Sequence, residues 1–354
     1  MTDAKLRTLG WKPYFEQQLP PEDDPPFVVA RVSAHFGSQL LMLGEADEFR
    51  IPIQLAESCG DIAVGDWLVL DAENHRVLQL LERQTLLYRK AAGEEVKPQM
   101  IAANIDTIFI VCSCNEDFNL SRIERYLALT LQAGATPVVV LTKADLCDNA
   151  TELRQQTERL HPGLLVETID ARQRSEVEIL LPWCGAGQTV ALLGSSGVGK
   201  STMANALGAR GIGDEELATG GIREHDGKGR HTTTWRSLHL LPSGGVLVDN
   251  PGMRELQLPA CEEGISDLFE DVLQIAEGCR FNDCAHEGDA GCAVEAAIES
   301  GELDQRRYQS FMKLSREQAR NSQSLAERRE KDRQRGKLYK SIIGAKKKQR
   351  GGQN

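Results

Sequence analysis

The stretch GSSGVGKS, residues 194–201, decides the fold of this chain. It follows the apolar run TVALLG and leads into a helical pattern, and the spacing G-x4-G-K-S between strand and helix is typical of a phosphate-binding loop. In such a loop, glycines let backbone N–H groups converge on phosphate oxygens, a lysine reaches the outer phosphate, and a serine hydroxyl ligates Mg²⁺. The residues that we expect to bind a nucleotide here are Gly194, Ser195, Ser196, Gly197, Val198, Gly199, Lys200, Ser201 and Thr202, with Ser201 on the magnesium ion.

The sequence around this loop has the rhythm of an open α/β sheet. Between residues 100 and 258, the apolar runs IDTIFIVC, TPVVVLT, LLVETI and TVALLG each precede a helical pattern. Buried strands of a parallel sheet with helices on both faces have this appearance. The runs WRSLHLL and GVLVD, joined by PSGG, predict a hairpin at the edge of the same sheet. We therefore predict an α/β nucleotide-binding domain over residues 100–258.

Two further segments are expected to complete the phosphate site. Asp249 ends the apolar strand GVLVD and offers a carboxylate near the magnesium ion, and Gly252 lets the following backbone approach a terminal phosphate. The stretch GKGRHTTT, residues 227–234, is polar and glycine-rich, with no helical or strand period. It is predicted to be a switch loop in which Thr233, or one of the threonines beside it, binds the metal when the terminal phosphate is present.

The segment TKAD, residues 142–145, is the candidate reader of the base. It follows the apolar run PVVVL, and open parallel sheets bind ligands at the carboxyl ends of their strands. The Asp145 carboxylate can accept from both N–H donors of the guanine edge, whereas adenine presents an acceptor there. Lys143 can lay its methylene stem along the base. An aspartate that caps a helix is the structural alternative. We expect Thr142, Lys143, Ala144 and Asp145 to bind guanine.

The order of these motifs is reversed relative to most GTPases. The base-reading segment at residue 142 precedes the phosphate-binding loop at residue 194. Moving the chain ends of a sheet domain opens one surface loop and closes another, so a site at the strand ends can survive the rearrangement. The sequence therefore predicts a circularly permuted GTPase domain.

The N-terminal part predicts a small barrel. Residues 27–85 contain five short apolar runs, namely FVVARV, SQLLML, EFRIPIQL, DWLVLD and RVLQLLE. A five-stranded barrel of the oligonucleotide-binding (OB) type is favoured, and an SH3-like barrel remains open. Residues 1–26 end in LPPEDDPP, a proline-rich acidic segment that cannot continue a helix or a central strand, so they are predicted to be an extension or linker.

The C-terminal part, residues 259–354, predicts a metal-binding domain followed by a helical basic tail. Three cysteines and a histidine follow the spacing C-x4-C-x-H-x5-C within CRFNDCAHEGDAGC. Three sulfurs and one imidazole can close a tetrahedral zinc site, and four protein ligands leave no position for a catalytic water. We expect one structural zinc ion, held by Cys279, Cys284, His286 and Cys292.

Charge is distributed unevenly along the chain, whose formal net charge is -11. Residues 301–354 carry 16 Lys and Arg against 6 Asp and Glu, whereas residues 1–300 carry 25 against 46. Such a tail is either a solvated helix or a nucleic-acid-binding segment. Nine cysteines are an odd number, which argues against a complete disulfide framework, and with no export signal this predicts a reducing cytoplasm. No apolar run reaches the ~18 residues that a membrane span needs, so we expect no membrane partner.

At this point the sequence closely resembles the ribosome small-subunit-dependent GTPases, the circularly permuted family known as RsgA. The resemblance covers the barrel, the motif order TKAD, GSSGVGKS, GRHTTT and DNPG, and the zinc cluster. It implies an OB-fold barrel, a permuted GTPase domain, a zinc-binding domain, and a late role in maturing the 30S ribosomal subunit. It also implies hydrolysis of GTP to GDP that this subunit stimulates, with contacts to 16S rRNA. We expect the chain to act as a monomer.

The chain departs from the family pattern at two motifs. The base motif of the family usually begins with Asn, whereas Thr142 offers a single hydroxyl, so we predict retained guanine preference with reduced affinity. The segment IDAR, residues 169–172, is the best candidate for the motif that closes over the base.

The residues expected to act in catalysis are Lys200, Thr233 and His231. Many GTPases place a water-orienting Gln after the glycine of the DNPG-like motif, but here that residue is Met253, whose thioether cannot orient water. By resemblance, His231 in the switch loop is the candidate for that role, and a structural role for it is the alternative. Two other functions remain open: a GTP-regulated RNA-binding module with negligible turnover, and, less favoured, a metabolic kinase.

Overall fold

The computed structural model describes residues 4–21, 26–90, 98–209, 237–249 and 261–322. The strands in these ranges are β1 Phe27–His35, β2 Gln39–Gly44, β3 Glu48–Pro52, β4 Trp67–Asp71, β5 Val77–Leu80, β6 Leu86–Lys90, β7 Pro98–Ala103, β8 Thr107–Ser113, β9 Thr136–Thr142, β10 Leu165–Ile169, β11 Thr189–Leu193, β12 Ser237–Leu240 and β13 Val246–Asp249. The α-helices are α1 Ala4–Thr8, α2 Pro13–Glu16, α3 Leu120–Gln132, α4 Ala150–Glu158, α5 Arg174–Val177, α6 Lys200–Ala206, α7 Glu262–Leu268, α8 Glu270–Glu277, α9 Ala293–Ser300 and α10 Gln305–Ser322. Among these helices, none combines the length and apolar character that crossing a membrane requires.

The centre of the molecule is the predicted parallel sheet. Five parallel strands stand in the order β10-β9-β8-β11-β13, and β12 pairs antiparallel with β13. All seven residues of β8 are buried, and its alternate side chains enter two different cores: Ile108 and Ile110 face one, Phe109 and Val111 the other. A strand buried on both faces needs the continuous apolar run that IDTIFIVC provides. The parallel arrangement and the β12-β13 hairpin are confirmed.

The hairpin does not form an edge of the sheet, contrary to prediction. Ala34 of β1 pairs with Ser237 of β12, so the first strand of the N-terminal module continues the sheet beyond the hairpin. Hairpin sequences specify a turn and two strands, but not which third strand lies beside them. Only the packing of the two domains decides that neighbour.

All five predicted strands of the N-terminal module form. They pair in the order β3-β2-β1-β4-β5, antiparallel throughout, around a core that includes Ala30, Val32, Leu40 and Leu68. The 3₁₀ segment Ile53–Cys59 lies against both β3 and β5, the outer strands of this order. Strands β6 and β7, which follow this module in the chain, pair as a separate two-stranded antiparallel ribbon that the sequence did not predict.

The N-terminal segment differs from the expected linker. The segment that contains α1 and α2 buries Leu9, Trp11 and Phe15 against Trp67 of β4, and the Trp11 and Trp67 rings meet edge to face at 4.9 Å. Burying three large apolar side chains within seven residues stabilises the packed segment, because the removal of apolar surface from water is favourable. Residues 22–25, at the proline-rich end of the segment, lie outside the described part.

A fully buried arginine joins the N-terminal β module to the parallel sheet. Arg31 of β1 has no exposed surface, and burial lowers its pKa to about 10, so it remains cationic at neutral pH. Its guanidinium donates to acceptors from four separate segments, namely Leu9 O, Gly65 O, Asn104 O and Thr189 Oγ1. This junction lies at the amino end of β11, opposite the edge that carries the nucleotide motifs.

The C-terminal helices pack against helix α3, which follows strand β8 of the parallel sheet. The Glu124 carboxylate on α3 is fully buried and pairs with Arg306 at 2.9 Å and Arg307 at 3.3 Å, both on α10. Gly264 of α7 lies so close to α3 that a Cβ atom there would sit 2.1 Å from the carbonyl oxygen of Ala128. These contacts fix α7 and α10 on the surface of α3.

Candidate nucleotide-binding site

The topology brings the predicted motifs to one edge of the parallel sheet. Strand β9 ends at Thr142, β10 at Ile169, β11 at Leu193 and β13 at Asp249. Because these strands are parallel, their carboxyl ends lie at the same edge, where open α/β sheets bind ligands. The base-reading segment and the phosphate loop are separated from each other by only one strand, β8.

The phosphate loop folds tightly against β8 before helix α6 begins at Lys200. Gly194 has a φ of 152°, and a Cβ atom there would sit 2.2 Å from the carbonyl oxygen of Val111, so only glycine fits. Gly199 has a φ of 99° and precedes the helix. The Lys200 ammonium donates to the carbonyl oxygens of Gly194 at 2.8 Å and Ser195 at 2.6 Å. The lysine therefore lies over the loop that is predicted to hold phosphate.

The other predicted phosphate ligands lie on the same loop and first turn. Ser196, Gly197 and Ser201 are exposed, Thr202 is partly exposed, and Val198 is buried beneath the loop. An exposed Ser201 hydroxyl at the start of α6 is available to a metal ion. The polar residues of the loop are thus accessible to a ligand, while the buried Val198 side chain packs into the protein interior.

Thr142 ties the base-reading segment to the phosphate loop. Its hydroxyl lies 2.6 Å from the carbonyl oxygen of Val198 and 3.2 Å from that of Cys112, and the residue is fully buried. A hydroxyl has one proton, so the shorter contact to Val198 is the stronger hydrogen bond. Thr142 therefore supports the phosphate loop from its buried side. Its side chain does not face the solvent, from which a base would enter, so the expected direct contact with guanine is not the role that this position favours.

Asp145 sits in the 3₁₀ turn Ala144–Leu146, after Lys143 adopts a left-handed conformation with a φ of 58°. Its Oδ2 atom accepts from Arg172 Nη2 at 2.6 Å, and Arg172 belongs to the segment IDAR. Arg172 also pairs through two donors with Asp170, and these hydrogen bonds hold the pKa of that carboxyl at about 2. Asp145 thus contacts a charged partner on the next loop instead of capping a helix.

Helix α3 reaches the phosphate loop through a residue that the sequence analysis missed. Arg122 Nη1 lies 2.9 Å from Ser195 Oγ and 2.8 Å from Asp117 Oδ1, and this carboxylate raises the pKa of Arg122. The only sequence signal for it is its place in the first turn of a helix capped by Asn119, after a strand of the nucleotide sheet.

Several predicted site residues lie outside the described residues or are described only in part. His231, Thr232, Thr233, Thr234, Gly252 and Met253 belong to residues 210–236 and 250–260, which the structure does not describe. The backbone of Asp249 is described, and it pairs with Ser237 at the carboxyl end of β13. Their roles stay predictions.

The predicted zinc ligands converge. The ligand atoms of Cys279, Cys284, His286 and Cys292 all lie within 4.8 Å of one another. His286 Nδ1 is 3.5 Å from Cys279 Sγ and 3.4 Å from Cys292 Sγ. A tetrahedral ion with Zn–S of about 2.3 Å and Zn–N of about 2.0 Å would place sulfur and nitrogen about 3.5 Å apart. These four residues therefore fit a closed zinc site.

Backbone hydrogen bonds to two of the cysteine sulfur atoms support the same cluster. The backbone N–H of Ala293 donates to Cys279 Sγ at 3.3 Å, and that of Glu295 donates to Cys292 Sγ at 3.4 Å. Such donors stabilise thiolate ligands of a metal. Outside the cluster, burial raises the pKa of Cys112, Cys184 and Cys261 to about 12, which keeps these thiols neutral at pH 7.

Fold and site together define a circularly permuted α/β domain, with an antiparallel β module before it and helices with a Cys3His cluster that could hold a metal ion after it. The family model described as RsgA GTPase matches residues 80–259. The chain is 52% identical over 347 residues to "Small ribosomal subunit biogenesis GTPase RsgA 2" of Vibrio parahaemolyticus, covering 98% of this chain and 95% of that protein. It is 44% identical over 321 residues to the RsgA protein of Mesorhizobium japonicum, covering 91% and 92%. The chain belongs to the RsgA GTPase family and is a GTP-hydrolysing enzyme.

Solved structures share the fold. YjeQ from Thermotoga maritima aligns with a TM-score of 0.57 and 24% identity over 83% of this chain and 99% of that chain. YloQ, described as a circularly permuted GTPase, aligns with a TM-score of 0.57 and 22% identity over 86% and 100%. At these identities the likeness concerns the fold alone, and it agrees with the motif order found here.

Proposed function

We propose that this enzyme acts in small ribosomal subunit biogenesis and that the 30S subunit stimulates its hydrolysis of GTP. The single observation that carries the proposal is the assembly of the TKAD segment and the GSSGVGKS loop at one sheet edge, in a chain whose relatives are named for this process. A partner of this kind places the enzyme in the cytoplasm. It acts as a monomer.

Hydrolysis proceeds by in-line attack of water on the terminal phosphate. Lys200, which already lies over the phosphate loop, neutralises charge that develops on the phosphate oxygens. Ser201 and Thr233 would hold Mg²⁺, with the Asp249 carboxylate beside it, and the ion supplies further charge neutralisation when bound. By resemblance to the family, we assign the orientation of the attacking water to His231, since the Met253 thioether after Gly252 cannot orient water.

The nucleotide site is coupled to the C-terminal domain by two connections. Asp249, the predicted magnesium carboxylate, is followed after twelve residues by helix α7. Helix α3 touches Ser195 of the phosphate loop through Arg122 and holds α10 through the buried carboxylate of Glu124. We propose that loss of the terminal phosphate shifts the zinc-binding domain relative to the barrel through these connections.

Contact with 16S rRNA is assigned chiefly to the basic tail. Residues 261–322 carry 6 Lys and Arg against 14 Asp and Glu, so these helices repel phosphate on balance. Residues 323–354 carry 11 against 3 and provide the electrostatic attraction. The N-terminal module is proposed to be an OB-type barrel that makes further contacts. Binding to the subunit should weaken as salt rises, because phosphate contacts release counterions.

Phosphate release under multiple turnover, with and without purified 30S subunits, tests this function. We expect strong stimulation by 30S subunits and none by 50S subunits. A Lys200→Ala variant serves as the control for residual GTPase contamination. If 30S subunits bind the protein in a GTP-dependent manner without raising turnover, the chain is a GTP-regulated RNA-binding module and the catalytic proposal is wrong.

A further inference from the structure

We infer that Arg172 is a specificity-determining residue of the guanine site, because it fixes the Asp145 carboxylate in the orientation that accepts two donors from the base. The inference rests on the proposed function, in which Asp145 reads guanine. It assigns a role to a side chain whose segment the sequence indicates only as a candidate for closing over the base.

The first observation is that Arg172 is held in place by its own loop. Its Nε and Nη2 atoms each lie 3.0 Å from an oxygen of Asp170, which is only 5% exposed. The backbone N–H of Arg172 donates to the same carboxylate at 3.0 Å. A planar guanidinium bound through two parallel hydrogen bonds has a defined plane and direction. Asp170 and Arg172 therefore form one fixed unit after strand β10.

The second observation is that this unit reaches across to the next loop. Strands β9 and β10 are in register, with Thr142 beside Ile169, so the segments that follow them leave the sheet side by side. Arg172 Nη2 donates to Asp145 Oδ2 at 2.6 Å although the arginine side chain is 66% exposed. An exposed arginine with no partner would be free to move in solvent. Here it connects two carboxylates.

The chemistry of the base explains why this orientation matters. Guanine presents two adjacent N–H donors, which require both carboxylate oxygens in one plane, whereas hypoxanthine lacks the exocyclic amine and presents one. The terminal torsion of an aspartate is broad, so an unsupported carboxylate can turn to serve a single donor equally well. Each oxygen has two lone pairs, so Oδ2 of Asp145 can accept from Arg172 and from the base together. Fixing the plane therefore favours guanine over hypoxanthine.

Two other roles for Arg172 make different predictions. A general attraction of the guanidinium for nucleotide charge would strengthen GDP and IDP binding equally. A plug that competes with the base for Asp145 would weaken GDP binding, so its removal would tighten it. The ratio of the two dissociation constants separates these roles from positioning.

The test is the affinity of the full-length protein for GDP and IDP, measured by calorimetry for wild type, Arg172→Ala and Arg172→Lys. We expect Arg172→Ala to weaken GDP binding about tenfold, the range of one charged hydrogen bond, and to weaken IDP binding much less. Lysine keeps the charge but cannot bridge two carboxylates with a planar fork, so Arg172→Lys should recover only part of the discrimination. Arg174→Ala is the matched control, since Arg174 is an exposed arginine only two residues further on, at the start of helix α5.

An equal loss for both nucleotides, or tighter GDP binding by Arg172→Ala, would overturn the inference. So would an Arg174→Ala variant that behaves like Arg172→Ala. Asp145→Ala separates base reading by Asp145 from the positioning role of Arg172. If Asp145→Ala leaves GDP affinity unchanged, the base-reading assignment itself fails; if it abolishes discrimination while Arg172→Ala does not, only the role of Arg172 is refuted.

Discussion

Replacing the buried carboxylate of Glu124 by an amide should loosen the C-terminal domain from the GTPase domain. Glu124 has no exposed surface and receives Arg306 and Arg307 at 2.9 and 3.3 Å. Breaking a buried ion pair by changing one partner costs about 3–5 kcal/mol. Two features reduce that figure, because the Arg306 side chain is 37% exposed and can be solvated, and Arg307 keeps its two contacts with Asp271. We therefore expect Glu124→Gln to cost about 2–3 kcal/mol.

Thermal unfolding measures this cost. At about 2.1 cal/mol/K of unfolding entropy per residue, a loss of about 2–3 kcal/mol lowers the melting temperature of this 354-residue chain by roughly 3–4 °C. Glu158→Gln is the matched control. Glu158 pairs with Arg154 at 2.8 Å on α4, and the two side chains are 40% and 42% exposed, respectively. Such a surface pair contributes about 0.3–0.5 kcal/mol. If both variants melt within about 1 °C of wild type, the buried ion pair does not hold the domains together.

Three further variants test the site. Thr142→Val removes the hydrogen bond to the Val198 carbonyl and leaves that oxygen buried, so GDP binding should weaken about 5- to 30-fold in a titration while the preference over ADP persists; unchanged affinity would show that the tie is unimportant. Cys292→Ser should lose the metal measured by elemental analysis, whereas Cys59→Ser, outside the cluster, should retain one zinc per chain; full metal content in Cys292→Ser would refute the four-ligand site. His231→Ala should bind GTP normally but lose 30S-stimulated turnover, and normal turnover would remove His231 from the mechanism.

The local parts of this protein could be predicted from sequence because local physics fixes them. The run IFIVC within IDTIFIVC is short, rich in β-branched and aromatic residues and without alternating polar positions, which favours a strand buried on both faces. The glycines at 194 and 199 stand where side chains would clash or where φ is positive, and three cysteines with one histidine have few uses other than a metal. The reversed order of the motifs likewise follows from the sequence, because a permutation is a property of chain order.

Contacts between segments far apart in the chain were decided only by the tertiary structure. The sequence around Arg172 does not indicate Asp145 as its partner, because the register of two parallel strands brings the two residues together. The same holds for Glu124, whose arginine partners lie more than 180 residues away, and for the continuation of the sheet from Ser237 to Ala34 of β1. Periodicity and motif spacing record which face of an element is buried. They carry no information on which element covers it, because many apolar faces are equivalent and only the packing of the whole chain selects one.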